Sequence, residues 1–390
     1  MRKKVLLLSS RLPYPPIGGD KLKSYNLLKI LAKHYDVHLV IVTDEILTTK
    51  ISAELKKYTK VLKIFTKPKY SFYLNTMKFL LNSLPLQVNY YYFNDVQKYI
   101  DTIEKEVDFA IPILIRTSEY LKHFAKPKYL DMVDSIGLNY QKSKNNVKSL
   151  LWRIIYSIEI KRLLQYEKKC ISNYKNTFFV NKYESEYWSK YGKTTWIPNG
   201  VDKKLFKYKN INEEYFDCIS FFGKMDYQPN IDAVLWFVKN VFIKMNNNLN
   251  FIIVGTKPTK EILDLAKKYK SIKITGFVND PYEILQSSLC VVAPMQTGGG
   301  IQNKILESMA LGTINIVSKL GAKPIIGARN NKHFFVTDDP DKILTILNIL
   351  FQNSDKYIQM KKDSQNIIMN KYTWDSYENI ILNSLSEDYL

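Results

Sequence analysis

Between Pro294 and Gly312 the chain reads Pro-Met-Gln-Thr-Gly-Gly-Gly-Ile-Gln-Asn-Lys-Ile-Leu-Glu-Ser-Met-Ala-Leu-Gly. Three consecutive glycines, Gly298, Gly299 and Gly300, stand between an apolar run of strand character and a helical pattern from Lys304 to Leu311. Glycines let backbone amides approach a ligand closely, at a cost in chain entropy. The amides of a helix's first turn lack intrahelical acceptors and sit at the positive end of its dipole. With the ammonium of Lys304 added, this is chemistry for holding a phosphate. Glu307 lies one turn further in, where a carboxylate can accept hydrogen bonds from ribose hydroxyls. The competing reading is a plain tight turn before a helix. Neither the Walker spacing Gly-x4-Gly-Lys-Ser/Thr nor Gly-x-Gly-x-x-Gly is present.

Two motifs in the first half carry charge after apolar runs. Asp134, in Asp131-Met132-Val133-Asp134-Ser135, either meets a ligand or caps the next helix. Arg116, after the run Phe109–Ile115, either reaches a phosphate or pairs with a surface carboxylate. The histidines His34, His38, His123 and His333 read as structural or solvent-facing. Cys170, Cys218 and Cys290 lie far apart, without zinc spacing, and read as buried free thiols. No carboxylate cluster has the look of a magnesium site.

The elements needed to position these groups follow an α/β order. Lys4–Leu8 is a strand covered on both faces, the loop Arg11–Asp20 turns on prolines and Gly18-Gly19, a helix runs through Leu27–Leu31, and His38–Val42 is a second strand. Phe109–Ile115, Tyr129–Val133 and Thr177–Val180 are further strands, and Trp152–Tyr174 is a long helix. Trp196–Gly200 breaks the pattern. A second series then follows: strands at Cys218–Phe222, Phe251–Val254, Ile272–Ile274, Leu289–Val292 and Ile314–Val317, with helices at Ile231–Lys239, Pro281–Gln286 and Lys304–Leu311. These predict two doubly wound parallel-sheet domains, residues 1–199 and 200–372, and a terminal helix in 373–390 returning to the first. Ligands are expected at the carboxyl ends of the strands, in a cleft between the domains.

The chain has 390 residues, 46% hydrophobic and 24% charged, and a formal charge of +20. These are globular proportions, with apolar material for two cores. The first apolar run stops at Ser9, too short for a signal peptide, and no stretch approaches the ~20 apolar residues of a membrane span. The charge calls for an anionic partner. From Lys50 to Asn89 lysines and aromatics interleave with a single acid, Glu54. Lys50–Tyr92 is predicted as one amphipathic, basic element, either a contact for anionic lipid or a solvated face over core aromatics.

The stretch Gly300-Ile301-Gln302-Asn303-Lys304-Ile305-Leu306-Glu307-Ser308-Met309-Ala310 resembles the donor-binding segment of glycosyltransferase family 4, in its bacterial exopolysaccharide branch. Four more blocks resemble the family in its own order. These are Arg11–Gly19, Ile197–Asp202, Phe222–Ala233 and Gly276–Asp280. The resemblance implies the GT-B fold and transfer of a sugar, with retention of configuration and no cofactor or metal, from a nucleotide sugar, UDP ahead of GDP. It implies donor contacts at Gly298, Gly299, Gly300, Ile301, Gln302, Lys304 and Glu307. Phe277 and Val278 match the base-binding loop, Gly223 and Lys224 the diphosphate turn, and Gly18 and Gly19 the opposing loop. Asp134 matches an acid of the branch that contacts sugar or acceptor. Gly299 stands where many members carry the first acid of a Glu-x7-Glu pair. The implied acceptor is a lipid-linked or other saccharide of cell-surface polysaccharide synthesis, met at the anionic inner face of the cell membrane. The rivals are a basic nucleic-acid-binding protein without catalysis, against which no nucleic-acid motif appears, and a GT-B-fold epimerase.

Overall fold

The structure is a computed structural model describing residues 2–143, 150–245, 248–298 and 300–386. The chain divides into two compact units, Met1–Pro198 with Ile380–Leu390, and Asn199–Asn379.

In the first unit, β1 (Lys4–Ser9), β2 (Asp36–Thr43), β3 (Val61–Thr66) and β4 (Phe109–Pro112) form a parallel sheet in the order β3-β2-β1-β4. A second parallel sheet has β5 (Tyr129–Val133), β6 (Asn176–Phe179) and β7 (Thr194–Trp196) side by side. Single parallel bridges, Ala110 to Lys128 and Ile113 to Asp131, carry the order on from β4 to β5. The inner strands are buried nearly throughout, as strands covered by helices on both faces must be. Leu6, Leu8, Val40, Ala110, Met132 and Phe179 form the core with Val96, Ile100 and Leu121 from helical segments.

The second unit has one parallel sheet of β8 (Cys218–Phe222), β9 (Asn250–Val254), β10 (Ile272–Gly276), β11 (Cys290–Ala293), β12 (Asn315–Val317) and β13 (Phe335–Val336), ordered β10-β9-β8-β11-β12-β13. Its core joins Phe221, Ile253 and Val292 to Val234, Phe237 and Leu347 from the helices Gln228–Asn240 and Pro340–Asn353. Local chemistry sets the helix ends. Asp280 accepts from the Tyr282 amide ahead of Pro281 and starts the helix Pro281–Ser287. Gly312, at φ 74°, ends the helix Asn303–Leu311 in the left-handed conformation. Both units are therefore doubly wound α/β folds.

The basic segment differs from its expected single amphipathic form. It is a helix Thr49–Lys56, then β3, a helix Lys69–Thr76 with a following 3-10 turn Met77–Leu80, and a helix Leu86–Tyr91. β3 carries no continuous apolar run, because it is an edge strand interrupted by Lys63 and ended by Thr66. Phe72 is fully buried against Tyr90, Tyr91 and Phe93. Lys63 and Lys67 lie over aromatic rings, and Lys67 is also bonded to Asp95. Exposed together with Lys50, Lys56, Lys57, Lys60, Lys63 and Lys69 are apolar side chains: Tyr70, Tyr73, Leu74, Met77, and above all Leu80 (80%) and Leu81 (89%). No helix among the described residues is long and apolar enough to cross a membrane. The three cysteines are free and buried, as expected.

Candidate active site

In the second unit the strand order reverses between β8 and β11, and the charged groups gather at the carboxyl ends of those two strands. The chain leaving β8 lies across the end of β9: Gly223 N donates to Val254 O at 3.0 Å and Met225 N to Thr256 O at 2.9 Å. The crossing has no room for side chains. A Cβ on Gly255 would fall 1.8 Å from Gly223 O, and one on Gly223 would fall 2.7 Å from Asn230 Nδ2 and 3.2 Å from Lys304 Nζ.

Asn230 is buried in the first turn of the helix Gln228–Asn240 and holds this corner. Its Nδ2 donates to Lys224 O at 2.8 Å, and its Oδ1 accepts from the Lys304 ammonium. That ammonium lies 4.5 Å from the Phe221 ring centroid and 3.7 Å from Met295 Sδ. Burial lowers its pKa from 10.5 to about 7. No carboxylate pairs with it among the described residues. Lys304 was expected to present an open cation. Instead it sits 8% exposed behind the glycine turn, its charge balanced by a ring face and an amide oxygen.

The turn itself needs its glycines: φ is 108° at Gly298 and 72° at Gly300. Gly299, with the question of what replaces an acid there, lies outside the described residues. Ile301 is buried and Gln302 is the residue preceding the helix, which begins at Asn303. No side-chain hydrogen bond caps this end, and Ile305 N donates to Gln302 O at 2.9 Å. Thr297 Oγ1 donates to Asp232 Oδ2 at 3.2 Å and ties the turn to the neighbouring helix.

Glu307 is half-buried, one turn into the helix, with the Tyr282 phenol hydrogen-bonded to it. Burial raises its carboxyl from 4.5 to about 7, against the pull of that bond. Tyr282 in turn is raised well above its ordinary value by burial and by Glu307. Phe277 is 67% exposed on the loop after β10, while Val278 packs against the cluster of Cys218, Ile252, Val254 and Ile284. Lys224 is exposed, with Nζ 3.1 Å from Asp226 Oδ1. Asn230, Tyr282 and Asp226 were not singled out in the sequence. The capping pair Asp280-Pro281 was the available signal for Tyr282.

In the first unit Gly18, at φ 104°, precedes the helix Gly19–His34. From that helix Lys23, fully buried, reaches the buried Asp131 carboxylate. Asp134 follows one strained step later. Val133 has φ 63°, a cost of order 1–3 kcal/mol for such a residue. The helix Ile136–Ser143 is capped by Ser135, whose Oγ accepts from Leu138 N at 3.2 Å, so capping is not the task of Asp134. Asp134 Oδ1 is buried with no hydrogen-bond partner. Burial raises its pKa, Lys23 and Lys142 oppose this, and Asp131 adds to it. Two more acids crowd in. Glu184 accepts from Ser135 N at 2.7 Å and is pushed up to about 8 by burial and by Asp134. Glu167 accepts from Ser135 Oγ at 2.7 Å and Gly137 N at 3.0 Å and is pushed up to about 7 by burial.

Residues 217–353 match the family model described as glycosyl transferases group 1. No curated protein sequence matches the chain. Among solved structures, the chain is similar to Anabaena HepE in complex with UDP, at 14% identity over 98% of this chain and 100% of that one, with a TM-score of 0.68. It is similar to sucrose-phosphate synthase from Thermosynechococcus elongatus at 14% identity, 100% and 99% coverage and a TM-score of 0.72. It is also similar to TarM, known from S. aureus, at 12% identity, 98% and 99% coverage and a TM-score of 0.69. HepE has further been solved with UDP-glucose. The fold is therefore GT-B, and the stretch that matches the group 1 family contains Gly223, Lys224, Lys304 and Glu307.

Proposed function

We propose that the chain is a retaining glycosyltransferase that moves a sugar from a nucleotide sugar, UDP-linked ahead of GDP-linked, to a lipid-linked saccharide acceptor. The observation that carries the donor half is Lys304 and Glu307 on one helix behind a glycine turn. There a buried ammonium backs the turn that receives phosphate and a carboxylate meets ribose. HepE, with the same fold, is known in complex with UDP and with UDP-glucose.

In this reading the bond from the anomeric carbon to the diphosphate breaks and a bond to the acceptor oxygen forms. The acceptor's hydroxyl proton leaves with a base. Negative charge grows on the diphosphate, where Lys224, Lys304 and the first-turn amides of the helix Asn303–Leu311 stabilise it. Phe277 stacks on the base and Glu307 takes the ribose hydroxyls. Asp134 contacts the transferred sugar or the acceptor hydroxyl. The acceptor is drawn from a membrane surface that Tyr70, Tyr73, Leu74, Met77, Leu80 and Leu81 touch, on the inner face of the cell membrane.

The test is calorimetric titration with UDP, GDP and their glucose conjugates, followed by product analysis with a lipid-linked acceptor. UDP binding that is lost in Glu307→Ala supports the reading. Absence of binding by every nucleotide, together with a salt-sensitive shift of nucleic acid, sinks it.

A further inference from the structure

The strand order of the first unit also reverses, between β1 and β4. In open α/β sheets that crevice, at the carboxyl ends of the strands, is where ligands bind. Two guanidiniums stand there. Arg11 follows β1, and Arg116 follows β4 through a turn at which Leu114 takes φ 64°. Both engage Tyr91: Arg11 hydrogen-bonds its phenol, and the Arg116 guanidinium lies 5.6 Å from its ring centroid. Arg11 is paired with Asp20 at 2.7 Å. Arg116 is partly buried and its Nε donates to Gln87 Oε1 at 2.9 Å, with Gln87 Nε2 donating in turn to Tyr140 OH at 2.9 Å. Its two terminal nitrogens have no acceptor among the described residues. Burial lowers the Arg116 pKa, and Arg11 is near enough to add to the effect.

A mostly dehydrated guanidinium beside a second one, held by a strained turn and without a carboxylate of its own, is an anion site. Its free fork fits two oxygens of a phosphate. Tyr91 is also the first of a run of rings. Tyr90 lies 4.9 Å from Tyr91 and Tyr73 lies 5.7 Å from Tyr90, centroid to centroid. Tyr73 belongs to the exposed apolar corner with Tyr70, Leu74 and Met77. Ring contacts thus lead from the two guanidiniums through Tyr91 and Tyr90 to an exposed apolar surface, the complement of an amphiphile with a phosphate head.

We propose that Arg11 and Arg116 hold the phosphate or diphosphate head of a lipid-linked acceptor, whose apolar chain lies along Tyr90, Tyr73 and Leu74. This rests on the transferase reading above for the word acceptor, but the binding site stands or falls by itself. The test uses full-length protein with UDP saturating, so that the donor site is filled. Binding of farnesyl diphosphate, inorganic pyrophosphate and farnesol is measured by calorimetry. Wild type should bind farnesyl diphosphate at least about 10-fold more tightly than pyrophosphate, and pyrophosphate more tightly than farnesol. Arg116→Gln and Arg11→Gln should weaken both diphosphates by roughly 10-fold or more. Arg116→Lys, which keeps the charge but not the fork, should lose less and guards against a folding defect. Leu74→Glu should weaken farnesyl diphosphate alone. Equal binding of pyrophosphate and farnesyl diphosphate overturns the lipid assignment. Unchanged affinity in a folded Arg116→Gln protein overturns the site. If UDP itself fails to bind, the donor reading falls while these arms still decide the arginine pair.

Discussion

The Lys304 ammonium sits 4.5 Å from the centre of the Phe221 ring, with Asn230 Oδ1 as its hydrogen-bond acceptor and no carboxylate among the described residues to neutralise it. Glu307, three positions on, is a carboxyl pushed towards neutrality in the same helix. The two groups have opposite pH logic. Glu307 titrates at about 7 folded against 4.5 ordinarily, so its burial cost is absent below pH 4.5 and complete above 7. Lys304 titrates at about 7 folded against 10.5, so its cost is complete below 7 and gone above 10.5. Near pH 7 neither is fully relieved. The double variant Lys304→Met, Glu307→Gln is expected to melt at least about 2 °C higher than wild type at pH 7. The gain should shrink towards pH 5 and pH 10. A lower melting point at pH 7 would show that these charges stabilise the unliganded protein.

Ligand binding should invert that penalty. A ribose hydroxyl favours the Glu307 carboxylate, so UDP affinity is expected to fall as pH drops from about 8 to 6. Glu307→Gln should bind UDP about 10- to 100-fold more weakly, by loss of a charged hydrogen bond, and without that pH trend. The same trend persisting in the variant would assign it to another group.

Lys224 is exposed, and its pairing with Asp226 contributes little to stability. Lys224→Ala is expected to keep the wild-type melting temperature and the KM for donor. Its kcat should drop about 10- to 100-fold, since charge on the diphosphate grows only as the bond breaks. A raised KM at constant kcat would make Lys224 a binding group only.

Gly255→Ala is a purely steric probe. Its Cβ would meet Gly223 O at 1.8 Å, so β8 and β9 must separate at their ends. We expect a loss of several kcal/mol in stability, visible in urea melts, and loss of UDP binding together with it. A stable protein that binds UDP normally would show that the crossing can relax.

Membrane contact should depend on leucines more than on lysines. Leu80→Glu with Leu81→Glu is expected to abolish co-sedimentation with anionic vesicles even at high salt. Replacing Lys56, Lys57, Lys60, Lys63, Lys67 and Lys69 by Gln should weaken it mainly at low salt, where surface charge is unscreened. Vesicle binding unaffected by either set would leave the corner as a solvated surface.

Apart from β4, the buried strands of the sheet interiors and the helices Pro281–Ser287 and Asn303–Leu311 are legible in the sequence to within a residue or two. Continuous apolar runs and caps such as Asp280-Pro281 and Gly312 mark them without tertiary help. β3 is not, because an edge strand with lysine at its middle has no apolar run. The helices Lys260–Lys268, Pro340–Asn353 and Ile358–Lys371 carry no motif that sets them apart in the sequence. In the site, the glycine turn and Glu307 followed from residue types. The burial of Lys304 did not, since only the packed corner of Phe221, Met295 and Asn230 creates it. The apolar run from Phe109 outlasts its strand by three residues, because nothing in the sequence announces the turn at Leu114.

The first unit gathers residues from both ends of the stretch that encodes the second, Met1–Pro198 before it and Ile380–Leu390 after it. On the ribosome this has a directional consequence. The second unit is contiguous and has all its residues before the last part of the chain is made. The first, though begun earlier, lacks a piece until translation passes residue 380. A nascent chain halted before that point therefore carries its second unit whole and its first unit unfinished, the reverse of the order in which they were started.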